Sequence, residues 1–391
     1  MAIEASRQEQ NAERIRLGMV GGGQGAFIGA VHRIASRIDD QYELVAGALS
    51  SDPARARASA LELGIAPDRA YGSFEEMAKA EAARPDGIEA VAIVTPNHMH
   101  APAAKAFLEA GIHVICDKPL TLDVEEAKEL VDLVDRTGKV FAVTHNYTGY
   151  PMIRQARAMV EKGELGDIRL VQAEYPQDWL TERAEASGSK QAEWRTDPKR
   201  SGAGGCIGDI GTHAYNLACF VTGLQLDELL AQLTTFVEGR LLDDDVQIML
   251  RFKGGARGLL WASQVAVGHE NGLKLRVYGT KGGLEWTQAD PNYLWFTRFG
   301  EPKQLLTRGG AGAWPEATRV TRVPAGHPEG YLEGFANIYA EAARAIQAAR
   351  SGSKPDDAVI FPTVRDGLAG MQFIEAAVAS SKAGNIWTKV G

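Results

Sequence analysis

A short apolar run, Ile15–Val20, breaks off into Gly21-Gly22-Gly23-Gln24-Gly25, and an amphipathic stretch follows with Val31, Ile34, Ala35 and Ile38 at helical spacing. Few folds use a strand, a glycine turn and a helix in that order. Glycines permit a tight turn and let the backbone approach a pyrophosphate, and the N-terminus of the next helix supplies N–H donors and a favourable dipole. The spacing departs from Gly-x-Gly-x-x-Gly. Gly21 and Gly23 fit, Ala26 holds the third position, and the next glycine is Gly29. Either Ala26 substitutes, or three extra residues precede Gly29. The expected cradle is Gly21, Gly23, Gln24, Gly25, Phe27 and Ile28. A glycine turn without a ligand is the plain alternative.

Further strands are expected at Tyr42–Leu49, Ala90–Val94, His113–Cys116 and Val140–Thr144, with helical patterns between them. That alternation predicts βαβ units and a doubly wound parallel α/β sheet. Residues 1–14 read as a polar tail and 15–146 as a nucleotide-binding domain. From 147 to 391 the texture changes. Arg169–Tyr175, Leu229–Glu238, Val246–Phe252, Arg257–Gln264 and Leu273–Gly279 read as strands, with Gly254-Gly255 and Gly282-Gly283 placed as hairpin turns are. This predicts a C-terminal α/β domain with an open, mostly antiparallel sheet. Arg308–Pro328 reads as a surface loop, and Leu368, Met371, Ile374 and Val378 mark a final amphipathic helix.

In open α/β sheets, ligands bind beyond the carboxyl ends of the strands. After the second strand, Ser50 and Ser51 stand where a ribose-binding carboxylate is expected, and Arg55 follows. That pattern tolerates a 2′-phosphate and leans to NADP. Asp52 turned inward would select NAD, and a simple turn with a helix cap is equally open. After the fourth strand comes Asp117-Lys118-Pro119, which aims a lysine at the crevice. In the second half, Gly204–Gly211 leads to Asp209 and His213, four apart and so on one face of a helix. A carboxylate beside an imidazole makes a general base for a hydroxyl.

Taken together, these motifs resemble the Gfo/Idh/MocA oxidoreductases, from Ile15 to the C-terminus. That family's Glu-Lys-Pro stands here as Asp117-Lys118-Pro119, and its Asp-x-x-x-His as Asp209 to His213. Thr95-Pro96-Asn97 and His100 match its cofactor-contacting turn. Two positions depart: Asp117 is shorter than glutamate, and Asn216 stands where many members carry an acid. The resemblance implies an N-terminal Rossmann domain, a C-terminal domain for substrate binding and association, NAD or NADP, and a homodimer or homotetramer. It implies hydride transfer between a sugar or cyclitol carbinol and nicotinamide. His213 would take the hydroxyl proton, Lys118 would bind the same oxygen, and Asp209 would orient the pair. Asn146 and Tyr147 are expected to face the cleft. Tyr150, Trp179, Trp194, Arg195, Asn216 and His327 are weaker substrate candidates, with core packing favoured for the tryptophans. Two other functions stay open on this scaffold: glycoside cleavage through transient oxidation, and non-catalytic dinucleotide sensing.

Other classes are disfavoured. A net charge of −8 opposes nucleic acid. No run approaches a membrane span, and the polar N-terminus lacks a signal-peptide core. Three scattered cysteines, Cys116, Cys206 and Cys219, suit a reducing compartment, so the cytoplasm is expected. No metal is expected: His98, His100, His113 and Cys116 sit on different elements, and Asp243-Asp244-Asp245 reads as an acidic turn.

Overall fold

The computed structural model describes residues 13–391 and divides into two units. The first holds residues 13–121, Glu125–Gly149 and Tyr331–Leu368. The second holds Leu122–Val124, Tyr150–Gly330 and Ala369–Gly391. Of the tail expected over 1–14, only Glu13 and Arg14 are described, exposed and in no regular element; the rest lies outside the described residues.

The first unit is a Rossmann-type sheet. Strands β1 (Ile15–Gly21), β2 (Tyr42–Ala48), β3 (Ala90–Val94), β4 (His113–Cys116) and β5 (Phe141–Val143) are parallel, in the order β2-β1-β3-β4-β5. Every residue of β3 and β4 is buried, as a strand covered on both faces requires. The winding reverses between β1 and β3, and Gly21 pairs with Val94 at that point. The helices are α1 (Phe27–Ile38), α2 (Pro53–Glu62), α3 (Phe74–Ala82), α4 (His100–Glu109) and α5 (Val124–Thr137). Helices α2 and α3 carry little apolar periodicity. They start on side-chain caps, Asp52 and Ser73, which accept from the Arg55 and Glu76 N–H groups.

The apolar stripe expected on α1 is rotated in the structure. Ile34 and Ile38 are over one-third exposed, whereas Gly29, Val31, His32, Ala35 and Ser36 are buried. The reason is the partner. Phe335, Tyr339, Ala342 and Ile346 of the helix Tyr331–Arg350 join the core of this unit. His32 meets the rings of Phe335 and Tyr339 edge-on, and its Nδ1 lies 2.8 Å from the Tyr339 hydroxyl. Tyr331–Leu368 therefore belongs with the first unit, where the sequence places 147–391 as one block.

In the second unit, nine strands run in the order β13-β12-β11-β10-β6-β9-β8-β7-β14. They are β6 (Ile168–Pro176), β7 (Leu226–Thr234), β8 (Asp245–Phe252), β9 (Arg257–Ser263), β10 (Lys274–Gly279), β11 (Gly282–Thr287), β12 (Tyr293–Arg298), β13 (Gln304–Thr307) and β14 (Thr388–Lys389). Among the described residues every pairing is antiparallel except β6 with β9. That parallel pair brings two carboxyl ends together, with Tyr175 opposite Ala262 and Pro176 opposite Ser263.

Three expectations change here. Gly282-Gly283 is no turn: it opens β11, and a Cβ on Gly283 would come within 2.8 Å of the Tyr278 ring opposite. Strand β7 stops at Thr234 because the Asp244 carboxylate takes the Phe236 and Val237 N–H groups and curls the chain. Arg308–Pro328 is not merely a surface loop. Arg308 is buried at its base, ion-paired with Glu329 and donating to the Val323, Pro324 and His327 carbonyls. No helix among the described residues is long and apolar enough to cross a membrane.

Candidate active site

In the first unit, the glycine loop resolves the choice left by the sequence. A Cβ on Gly29 would lie 2.3 Å from the Gly22 carbonyl oxygen, so Gly29 supplies the close helix–turn packing. Ala26 is instead the N-cap of α1. It offers no side-chain cap, and the first turn carries no acidic residue. Unlike α2 and α3, α1 therefore keeps its N–H donors and its dipole for an anion. Gly25 has a positive φ, and a Cβ there would meet nothing within 4 Å. This cradle fits a dinucleotide pyrophosphate.

Its flanks are fixed by backbone contacts. The Gly23 N–H donates to Leu49 O, and the Gln24 N–H donates to Ser59 Oγ. The Gln24 amide is tied to Glu62. Gln24, Gly25, Phe27, Arg33 and Ser59 line a cavity of about 440 Å³. Phe27 is 68% exposed, whereas Ile28 packs on the core. After β2, Ser50 Oγ accepts from the Asp52 N–H, and Asp52 caps α2 through the Arg55 N–H. Ser51, Asp52 and Arg55 are exposed, so the turn-and-cap geometry is the one present.

Beyond β3 and β4 the turns are joined by His100. Its ring is 1% exposed, with Nδ1 2.8 Å from Pro119 O and Nε2 3.0 Å from Thr95 O. This corrects its expected cofactor contact, because both nitrogens face backbone carbonyls. Burial pulls its pKa down, against Asp117 and the two carbonyls. Thr95 and Pro96 are half-buried, and Asn97 is buried in a single 3₁₀ turn. The shorter Asp117 still reaches two partners: its Oδ1 accepts from the Lys118 N–H at 3.0 Å and from Thr144 Oγ1 at 2.8 Å. It thus ties the end of β4 to the end of β5 and fixes the half-buried Lys118.

The sequence reading passes over His145. It is buried, and burial together with the Lys118 charge pushes its pKa down to about 3. It stands directly before Asn146, and only its place after a strand end signals it. Asn146 and Tyr147 are buried in the 3₁₀ turn Asn146–Gly149, which packs on the helix Tyr331–Arg350.

In the second unit, the Asp209 segment is not a plain α-helix. Ile207–Gly211 forms a π-turn, and the helix α6 (Thr212–Thr222) follows with His213 in its first turn. π-turns frequently mark functional sites. The acidic turn is a buried anchor. Asp243 accepts from the Gly205 and Ile207 N–H groups at 2.7 and 2.8 Å, and its carbonyl takes the Cys206 N–H. Asp244 pairs with Arg240, and Asp245 accepts from the Trp261 indole. Among the described residues no group of three or more His, Cys, Asp or Glu could hold a metal ion.

Asp209 Oδ2 accepts from Gln264 Nε2 at 2.8 Å and lies 3.3 Å from Arg195 Nε. The Tyr175 ring sits 6.2 Å from that of His213. Tyr175 and Gln264 come from the paired carboxyl ends of β6 and β9, a juxtaposition no local motif announces. Asn216 is buried on α6.

The remaining candidates separate. Trp194 stacks under the Arg195 guanidinium at 4.2 Å and is half-buried, and Trp179 is 38% exposed, so neither tryptophan is core. Tyr150 is the opposite case. It is 1% exposed and packs on Trp286, so it is a core residue and not part of an open wall. His327 is exposed.

Known proteins match this arrangement over 97% of the chain. Residues 15–145 match the model described as an oxidoreductase family with an NAD-binding Rossmann fold, and residues 153–285 match the GFO/IDH/MocA C-terminal domain. An uncharacterized oxidoreductase, YfiI, of Bacillus subtilis is 36% identical over 97% of this chain and 99% of its own. The crystal structure of an oxidoreductase from Sinorhizobium meliloti is 61% identical, with TM-score 0.89, over 97% of this chain and all of that one. An inositol dehydrogenase homolog from Azotobacter vinelandii, complexed with NADH and myo-inositol, is 38% identical with TM-score 0.90, over 97% and 98%. With both halves matched, the chain belongs to the GFO/IDH/MocA family of NAD-binding oxidoreductases.

Proposed function

We propose that this protein is an NAD-dependent dehydrogenase acting on a secondary hydroxyl of a cyclitol or sugar. The observation that carries the reading is the pair of prepared elements: Lys118, fixed at the end of β4 by Asp117, and Asp209 with His213 at the π-turn. The solved relative that holds NADH and myo-inositol supports the substrate class.

The loop Gly21–Gly25 and the start of α1 would hold the pyrophosphate, with Thr95, Asn97 and Lys118 on the nicotinamide side. Bound nicotinamide supplies the hydride acceptor. His213 takes the hydroxyl proton as general base. Lys118 donates to the substrate oxygen and stabilises the charge that develops there. Asp209 binds a neighbouring hydroxyl and fixes the substrate's orientation. Between the two dinucleotides the reading is NAD. The matching family is NAD-binding and the solved relative holds NADH, and the Asp52 carboxylate, although it caps α2, still sets negative charge beside Ser50, Ser51 and Arg55.

The test is a panel of cyclitols, polyols, aldoses and glycosides, each with NAD and with NADP, following nicotinamide absorbance and product identity. The expected result is NAD reduction with one class of cyclitol or sugar. Cleaved glycoside without net reduction would replace this reading with the glycoside-cleaving one. Dinucleotide binding without turnover on any substrate would replace it with the sensor.

A further inference from the structure

Resting on that reading of Asp209, we infer that Gln264 is a positioning residue: with the Arg195 guanidinium, its amide fixes the orientation of the Asp209 carboxylate. Gln264 is 2% exposed, and its backbone is pinned on both sides. Its N–H donates to Asp244 O, and its carbonyl takes the Leu180 N–H. A buried amide side chain costs free energy unless it is hydrogen-bonded. Here Nε2 is spent 2.8 Å from Asp209 Oδ2. The second group on the same oxygen is Arg195 Nε, at 3.3 Å. That guanidinium is itself held, by Gln191 through Nη1 and by the Trp194 ring beneath it.

Three separate elements therefore meet at one carboxylate: the end of β9, the helix Lys190–Arg195 and the π-turn. Asp243, Asp244 and Asp245 bring further negative charge near: burial first, and then these carboxylates with Asp209, push the Cys206 thiol up. Arg195 pairs with Asp209 and offsets this charge, and His213 is the titratable group four residues on, in the first turn of α6. Gln264 adds direction without charge, since an amide donates to a carboxylate at any pH.

The test uses two substitutions in the full chain. Gln264→Leu keeps most of the volume and removes the donor. Turnover is expected to fall about 10- to 100-fold, as a misplaced catalytic group costs, while NADH affinity by fluorescence titration stays within about twofold. Gln264→Glu puts a carboxyl where the amide was. Protonated, it donates to Asp209 as the amide does, and turnover returns to the wild-type value measured at the same low pH. Ionised, it sets two like charges at hydrogen-bond distance, and turnover falls on the alkaline side where the wild type is flat. A merely space-filling glutamine gives neither the recovery nor the new limb. Wild-type turnover in Gln264→Leu, or a wild-type pH profile in Gln264→Glu, overturns the inference.

Failure of the dehydrogenase reading shows separately, as a wild-type protein that oxidises no substrate. Carbon-13 NMR of labelled aspartate then still decides. The Asp209 carboxyl signal, assigned by its loss in Asp209→Asn, changes its titration in Gln264→Glu if the two groups are partners. An unchanged titration overturns the inference.

Discussion

The two units prepare their chemical groups by opposite means. In the first, parallel strands end side by side and the groups ride on the turns that follow: Gly21–Gly25 after β1, Thr95–Asn97 after β3, Asp117-Lys118 after β4. Each turn is contiguous in sequence, and backbone bonds hold it together with the Ser59, His100 and Asp117 side chains. In the second, one parallel pair inside an antiparallel sheet delivers Tyr175 and Gln264 to a π-turn anchored by Asp243. The lesson is that turn-borne sites are written locally, whereas a site assembled from strand ends and buried side chains is not.

The largest expected effect tests whether the two units contribute comparably. Lys118→Ala and His213→Ala should each lower turnover about 10²–10⁴-fold with the circular dichroism spectrum unchanged. Wild-type-like turnover in either would remove that unit's half of the mechanism.

Acid should separate the units next. Burial holds His32 at about 4 and His145 at about 3, against 6.5 for a free imidazole. The unfolded chain takes protons below about 6.5 and the folded first unit does not. The stability these groups contribute is thus complete above pH 6.5 and is lost as pH falls through 4, about 3 kcal/mol for His32 alone. Asp243 runs the other way. Burial pushes it up to about 6, so its contribution is complete below the ordinary carboxylate range and lost as pH rises through 6. Hydrogen exchange followed from pH 7 to 4 should therefore show the first unit losing protection before the second. Equal loss in both would break the comparison.

Smaller effects sharpen it. Gly29→Ala forces a methyl group against the Gly22 backbone and should cost about 1–3 kcal/mol in urea unfolding, as overpacking does. It should also weaken NADH binding. Ala26→Gly should leave NADH binding nearly unchanged. Asp52→Ala removes one helix cap and should cost about 1 kcal/mol, read as a fall in the urea midpoint.

What the sequence revealed follows contiguity along the chain more than the division into units. The Rossmann strands and the glycine turn were legible because hydrophobic period and a short motif mark them, and short motifs single out Lys118, Asp209 and His213, whose roles belong to the proposed function. His100 was legible as a motif residue but not in its task, since only the fold places two carbonyls against its ring. The choice between Ala26 and Gly29 needed the Gly22 backbone beside it. The tryptophans and Tyr150 were placed the wrong way round, because aromatic residues carry no signal of which face they occupy. Gln264 and Arg195 as partners of Asp209 had no signal at all: they lie 55 residues after it and 14 before it.

The return of Tyr331–Leu368 to the first unit has a consequence for how the protein is made. A ribosome completes β1 to β5 long before it reaches Phe335 and Tyr339, which cover His32 and the buried face of α1. Until then that face stays bare, and the nucleotide-binding unit waits on the rest of the chain to be synthesised. Order of synthesis and order of completion are inverted, so a nascent chain stalled in the second unit carries an unfinished first one.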